Sequence, residues 1–157
     1  MLHIRIVTEA DITELKDLFR ETVLHINIQD YTLEEIEDWA SCGNTDEHWK
    51  DLIDKFHFFV AENEMEQIVG FASISDEGYL HSMFVHKDYQ NMGIASKLYE
   101  KIEQFARENK IYRISSEVSI TAKLFFQRQG FGIEKEQNSQ AKNLFLTNYL
   151  MYKEIEQ

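Results

Sequence analysis

One hexapeptide, Gln90-Asn91-Met92-Gly93-Ile94-Ala95, joins the apolar run Met83-Phe84-Val85 to an amphipathic segment that extends from Ile94 to Arg107. This order of strand, small-residue turn and helix directs backbone N–H groups toward one point, because the first N–H groups of a helix have no partner within it. The helix dipole adds about half a positive charge at the same end. Gly93 and Ala95 also let a ligand come close to the backbone. The pattern therefore predicts a seat for phosphate oxygens.

Other phosphate-binding motifs are absent from the sequence, which has neither the glycine fingerprint of dinucleotide folds nor a nucleotide P-loop. Residues 90–95 instead have the pattern Gln-x-x-Gly-x-Ala, which resembles the acetyl-CoA pyrophosphate loop of the GNAT acetyltransferase superfamily. A second segment is similar to the later helix of that family, which ends in a Gly-Phe pair; it reads Ala122-Lys123-Leu124-Phe125-Phe126-Gln127-Arg128-Gln129-Gly130-Phe131. The two motifs occur in the family's order and spacing, so the resemblance covers most of the chain.

Hydrophobic periodicity and turn residues predict a chain of mixed elements. Helices are expected after Thr8 and Thr32, each of which has a carboxylate three residues on, as in a capping box. Further helices are predicted at 47–55, 94–107 and 121–129, and strands at 3–7, 57–62, 67–74, 79–85, 113–118, 131–136 and 143–152. The resemblance implies a single α+β domain over residues 1–157. Its sheet is mixed and mostly antiparallel, has helices on both sides, and splays between the strands at 79–85 and 113–118.

Bulk properties limit the class of protein. The 157 residues are 43% hydrophobic, as in a globular chain, and no apolar run approaches the ~20 residues of a membrane span. The first residues show no secretory signal, so we expect a cytoplasmic protein without a membrane partner. The single cysteine, Cys42, cannot form an internal disulfide, and no metal cluster is predicted.

The net charge of −12 is uneven, because residues 1–60 hold five Lys/Arg against fourteen Asp/Glu. Nucleic acid needs a basic surface, so a nucleic-acid partner is not expected. An acidic surface raises the local concentration of cations, which would suit an amine or polyamine acceptor. Ordinary solubility explains the same excess of charge.

The resemblance implies which residues bind acetyl-CoA as co-substrate. The pyrophosphate would lie on the backbone of the loop, and the pantetheine arm on the edge of the preceding strand. These residues are Gln90, Asn91, Met92, Gly93, Ile94, Ala95 and Ser96 in the loop, and Met83, Phe84 and Val85 in the strand. Many members carry an asparagine where this chain has Ser119. They also carry a tyrosine that acts as the general acid where this chain has Phe126. Ser119 can still hydrogen-bond the cofactor, and Phe126 can pack beside the thiol.

Two candidates for the general base and one for the acid remain open. His81 lies on the same strand face as Met83, and a His near pKa ~6.5 can accept a proton at neutral pH. Glu117, near the expected splay, is the alternative. Phe126 has no proton to give, so Tyr149 on the last strand is the candidate acid.

The acceptor pocket of this fold would be bounded by residues 25–31, Trp39, Asn148 and Tyr149. Asp30, Tyr31 and Glu34 could bind a cationic amine. The leading hypothesis is acetyl transfer by direct attack of a small-molecule or protein amine. A catalytically silent CoA-binding sensor, which Phe126 favours, and an interaction protein with a basic partner are the alternatives. The apolar last strand allows a homodimer.

Overall fold

The computed structural model describes residues 1–156, so Gln157, the last residue of the predicted domain, lies outside the described residues. The described chain alternates helices and strands as the sequence predicts. The elements are β1 (His3–Ile6), α1 (Ile12–His25), α2 (Leu33–Ala40), α3 (Asp46–Lys55), β2 (His57–Glu62), β3 (Ile68–Ile74), β4 (Leu80–Val85), α4 (Ile94–Glu108), β5 (Arg113–Ser119), α5 (Lys123–Arg128), β6 (Gly132–Gln140) and β7 (Phe145–Glu154).

The starts of the first two helices follow from local hydrogen bonding. The Glu35 N–H donates to the Thr32 hydroxyl (3.2 Å), and the Thr32 N–H donates to the Glu35 carboxylate (3.0 Å), which completes a capping box for α2. The Thr8 N–H likewise donates to the Asp11 carboxylate (2.8 Å). There, however, a short 3₁₀ turn over Glu9–Asp11 precedes α1.

The strands form two antiparallel sheets. One has the order β1-β2-β3-β4 and the other β5-β7-β6. Side chains alternate across β2, so Phe58 and Val60 pack with α1, α2 and α3, whereas Phe59 and Ala61 pack with α4 on the opposite face. The predicted α+β class, with a mostly antiparallel sheet arrangement and helices on both sides, is thus confirmed. Within residues 1–156, none of the helices has the length and apolar character that crossing a bilayer requires.

The two sheets meet where the splay was predicted. A single parallel bridge joins Tyr79 to Ser115, and the Ser115 N–H donates to the Gly78 carbonyl at 3.0 Å. The Ser116 hydroxyl donates to the Leu80 carbonyl at 2.7 Å. Beyond these contacts, no further backbone pairing joins β4 and β5 in the described chain. The strands therefore separate toward the residues that follow Leu80.

The predicted ends of the last three elements need correction. Strand β6 continues to Gln140, well past the predicted end at residue 136, and β7 spans Phe145–Glu154 instead of residues 143–152. Helix α5 is only Lys123–Arg128. Most of β6 is exposed on both faces, so the alternation of apolar and polar residues that reveals a half-buried strand is missing.

The turn that brings β4 to β5 depends on Gly78. This residue has φ +96°, and a Cβ there would lie 2.4 Å from the Arg113 carbonyl oxygen. The left-handed backbone costs about 1–2 kcal/mol for a residue with a side chain, and backbone cannot move aside as a flexible side chain can. We therefore expect Gly78→Ala to lower the free energy of unfolding by at least about 2 kcal/mol, measured by urea denaturation.

Gly132→Ala is the matched control, because its Cβ would meet its first neighbour, Tyr152, at 3.9 Å. This variant should lie within about 0.5 kcal/mol of the unmodified protein. Equal stability of the two variants would show that the Gly78 turn is not a constraint on the fold.

Candidate functional site

A cavity of about 770 Å³ occupies the splay between β4 and β5. Its walls come from β3, β4 and β5, the first turn of α4, the helix α5, the parts of β6 and β7 that adjoin their shared turn, and the helices α1 to α3 with the loops around them. One cavity therefore extends from the phosphate loop to the first three helices, a volume within the usual range for small-molecule sites.

Strand β4 presents backbone groups to this cavity. Phe84 pairs with Phe71 of β3, and the His86 N–H donates to the Val69 carbonyl at 2.8 Å. Since antiparallel residues alternate in the direction of their backbone groups, Met83 and Val85 turn theirs away from β3 and toward the splay. The Val85 carbonyl indeed accepts from two side chains outside the sheet, the Thr22 hydroxyl (3.0 Å) and the Gln90 amide (2.7 Å). An extended ligand can pair with what remains of this edge.

The loop before α4 has the geometry of an anion seat. Asn91 and Gly93 are both left-handed, with φ of 59° and 83°, so the chain curls into a concavity at the start of the helix. The first helical bond runs from the Lys97 N–H to the Gly93 carbonyl (3.1 Å), which leaves the N–H groups of residues 94–96 without a helical partner. A Cβ at Gly93 would meet no atom within 4 Å, so the space above the backbone is open.

The cavity brings together all the predicted cofactor-binding residues except Met92, whose side chain is 67% exposed. The Ser119 Oγ accepts from the Ala122 N–H at 3.1 Å, so its proton remains available to a ligand. Phe126 is buried and packs edge-to-face on Phe131, with ring centroids 5.1 Å apart. Its ring contributes both to the cavity wall and to the hydrophobic core, and it has no proton to donate.

His81 lines the cavity and stacks on Phe56, with ring centroids 4.5 Å apart. Its Nδ1 is buried and has no hydrogen-bond partner within residues 1–156. Burial is the main reason that the pKa of His81 falls from 6.5 to about 4. The imidazole is therefore neutral at physiological pH and is a weak base, which disfavours the role that the sequence suggested for it.

Glu117 also lines the cavity, and its carboxylate is held in place. Oε1 accepts from the Tyr79 hydroxyl at 2.9 Å, and Oε2 accepts from the Gln137 amide at 2.6 Å and the Ser139 hydroxyl at 2.8 Å. A carboxylate has about four lone-pair sites, so these three bonds fix its orientation and leave about one site for a further donor.

Tyr149 is not among the residues that line the cavity, in contrast to the prediction that it supplies an acid. The side chain packs against the core that contains α4, and the Lys123 ammonium lies over its ring at 4.6 Å from the centroid. The residues of β7 that line the cavity are Leu146, Thr147 and Asn148, so the cavity ends on this strand just before Tyr149.

The residues proposed to bind a cationic amine need a similar correction. Asp30 and Glu34 are exposed and do not line the cavity. Tyr31 does line it, but its hydroxyl accepts from the Ile120 N–H (2.9 Å) and donates to the Thr147 carbonyl (2.7 Å). Burial raises the pKa of Tyr31 to about 12. Tyr31 therefore ties the segment before α2 to the β5–α5 loop and to β7.

A second tie joins α2 to the turn between β6 and β7. The Asp38 carboxylate accepts from the N–H groups of Lys142 (2.9 Å), Asn143 (2.9 Å) and Leu144 (3.0 Å). These hydrogen bonds hold the pKa of Asp38 below its usual value, led by that from Leu144. The anchored turn carries Gln140 and Ala141, which line the cavity.

Polar residues of the cavity wall that the sequence does not assign to the site include His48, Thr121 and Arg128. The Thr121 hydroxyl is buried without a partner in the described chain, and burial lowers the pKa of His48. Arg128 belongs to the segment that resembles the later helix of the family, whereas no motif marks His48 or Thr121, which reach the wall through packing between elements. Among residues 1–156, no cluster of three or more His, Cys, Asp and Glu could hold a metal ion.

Comparison with known proteins gives one consistent result. The model of the acetyltransferase (GNAT) domain family matches residues 27–153. The chain is 31% identical over 150 residues to YafP, an uncharacterized N-acetyltransferase of Escherichia coli K12, covering 96% of this chain and 94% of YafP. A GCN5-related N-acetyltransferase from Rhodopseudomonas palustris has TM-score 0.93 at 21% identity, covering 97% of this chain and 94% of its own.

PaiA N-acetyltransferase from Thermoplasma acidophilum, solved in complex with coenzyme A, has TM-score 0.80 at 17% identity. The alignment covers 98% of this chain and 99% of that one. At these identities, the two solved structures show a shared fold.

The burial of His81 gives a direct prediction. Its ring should titrate near pH 4 in the folded protein, against 6.5 for an exposed histidine. Because the unfolded chain then binds this proton more readily, His81 should disfavour the folded state progressively as the pH falls from about 6.5 toward 4. NMR titration of the histidine ring signals, assigned with His81→Gln, measures this value. A midpoint above 6 would restore His81 as a candidate base.

Proposed function

Because the chain belongs to the GNAT family of acetyltransferases, we propose that it transfers the acetyl group of acetyl-CoA to a primary amine by direct attack. One observation carries the proposal. A phosphate-accepting loop, an open strand edge and an oriented carboxylate line a single cavity, and they follow one another from α4 along β4 to β5.

The residues present fit a CoA ester. Diphosphate oxygens would accept from the free N–H groups at the start of α4, where the helix dipole is positive. Arg128 lines the same cavity and adds a full positive charge. The amides of a pantetheine arm would pair with the open edge of β4 at Met83 and Val85. Acetyl-CoA supplies a thioester whose carbonyl carbon is open to attack by a neutral amine.

Glu117 is the group best placed to accept the proton that the amine loses. In the reaction the amine nitrogen forms a bond to the acetyl carbon, the carbon–sulfur bond breaks, and the amine loses a proton. Glu117 has a lone-pair site left and lies on β5, across the splay from the thioester-binding edge of β4. The carboxylate would receive the proton directly or through one water molecule.

The sulfur leaves without a tyrosine acid. Phe126 stands where many family members have that tyrosine, and Tyr149 does not line the cavity. A thiol of pKa ~8.5 is a tolerable leaving group as thiolate. The hydroxyls of Ser119 and Thr121 line the cavity and provide hydrogen-bond donors, while water supplies the proton.

The loop assignment is tested at Gly93. A valine side chain there meets no protein atom at Cβ, so the expected loss of stability is the left-handed backbone cost of about 1–2 kcal/mol. The same side chain fills the space above the free N–H groups, so acetyl-CoA affinity should fall at least about a hundredfold, by calorimetric titration. Met92→Val, at the adjacent exposed position, should retain affinity. Unchanged binding in Gly93→Val would remove the loop as the phosphate site.

The role of Glu117 is tested by Glu117→Gln, which keeps the size of the side chain and removes its basicity. Turnover should fall about a hundredfold with every amine, whereas acetyl-CoA affinity should change little. Glu136→Gln removes a carboxylate that is exposed on β6 and outside the cavity, and should leave turnover intact. Full activity in Glu117→Gln would exclude this residue as the base. Binding of acetyl-CoA without turnover of any amine would instead favour the silent CoA-binding module.

A further inference from the structure

The cavity carries little of the charge of this protein. Of the Asp, Glu, Lys and Arg side chains in residues 1–156, only Glu117 and Arg128 line it. Arg128 lies at the end of α5, and α5 begins beside the predicted cofactor residue Ser119. Glu117 is thus the only carboxylate of the described chain that an acceptor can meet inside the cavity. The acidic excess of residues 1–60 lies elsewhere on the surface.

Aromatic rings from α2, from the segment before it and from β4 lie in one wall of the cavity. Tyr31 contacts Trp39 edge-to-face at 5.8 Å between ring centroids, and Trp39 contacts Phe84 at 6.0 Å. All three side chains are half-buried and line the cavity. Leu52 and Leu146 add aliphatic surface to the same lining. A ligand in this part of the cavity would therefore meet apolar and aromatic surface.

The wall is also fixed in position before any ligand binds. The Tyr31 hydroxyl bonds to the backbone of Ile120 and Thr147, and Asp38, the neighbour of Trp39, binds three N–H groups of the β6–β7 turn. Rigid pockets favour ligands of matching shape, because little ordering cost remains to be met on binding.

We propose that the acceptor is a primary amine with one positive charge on a flat apolar body, an arylalkylamine in chemical class. This inference rests on the proposed function and deepens it. The ammonium would pair with Glu117 as it binds and would lose one proton through this carboxylate to solvent, which leaves the neutral amine that attacks. The ring would pack against the wall of Tyr31, Trp39 and Phe84, where aromatic pairs are favourable. A polyamine, an aminoglycoside or a basic peptide would bring further charges to a wall that has no second carboxylate, at a desolvation cost.

The test is an acceptor panel at saturating acetyl-CoA with the intact protein. Phenethylamine and tryptamine represent the proposed class, and hexylamine is an apolar amine without a ring. Spermidine, kanamycin and a lysine-rich peptide represent polycations. We expect kcat/KM for the two aromatic amines to exceed that for each polycation at least about tenfold, and that for hexylamine by a smaller factor.

Trp39→Leu tests the wall itself. The ratio of kcat/KM for tryptamine to that for hexylamine should fall about fivefold, within the range for losing one aromatic contact. Acetyl-CoA affinity should persist, which also shows that the variant is folded. Leu33→Ala is the matched control, because Leu33 lies on the same helix, is 60% exposed and does not line the cavity. It should leave the ratio unchanged.

The outcomes separate the two proposals. Equal or higher kcat/KM for a polycation, or an unchanged ratio in Trp39→Leu, overturns the substrate class while the acetyltransferase activity stands. Absence of turnover with every amine of the panel overturns the proposed function, and the inference with it.

Discussion

Within residues 1–156, backbone pairing between the two sheets occurs at a single point, and the shape of the site depends on it. Tyr79 bridges to Ser115 beside the Gly78 turn, and the Ser116 hydroxyl closes the last contact on Leu80. Past that point the strands diverge, and the backbone groups of Met83 and Val85 are left facing a cavity instead of a neighbouring strand. Such groups need partners, because an unpaired buried amide is costly. Thr22 and Gln90 satisfy one carbonyl from outside the sheet, and a ligand can satisfy the rest.

The electrostatics of the cavity differ from those of the whole chain. The net charge is −12, yet Glu117 is the only carboxylate of the described residues at the cavity wall. Two acidic side chains of α2 do not line the cavity. Asp38 accepts hydrogen bonds from the β6–β7 turn, and Glu34 is exposed. Buried histidines add no compensating charge, since burial lowers the pKa of both His48 and His81. The net charge of the chain therefore does not describe the charge of the cavity wall.

Particular residues show how far sequence reasoning extends. The turn of Asn91 and Gly93 into α4 was predictable, because small or left-handed residues between a strand and an amphipathic helix leave few alternatives. The Thr32 and Glu35 capping box was equally local. The predicted end of β6 at residue 136 is too early, because the residues of this strand are exposed on both faces and do not alternate between apolar and polar. Tyr149 is predicted in the site because of its strand, whereas the part of β7 that lines the cavity ends at Asn148, and packing between elements decides where that boundary falls.

The sequence by itself determined the order of helices and strands, the turn into α4 and the family, since each rests on interactions between residues within a few positions of one another. Tertiary structure alone decided which titratable groups are usable. The pKa of His81 depends on its burial against Phe56, which lies between α3 and β2 and is distant in the sequence. Glu117 is oriented by Tyr79, Gln137 and Ser139, which are 38, 20 and 22 positions away. Burial and long-range hydrogen bonds leave no local pattern, so the proposed base and the proposed acceptor wall emerge only when the elements are packed.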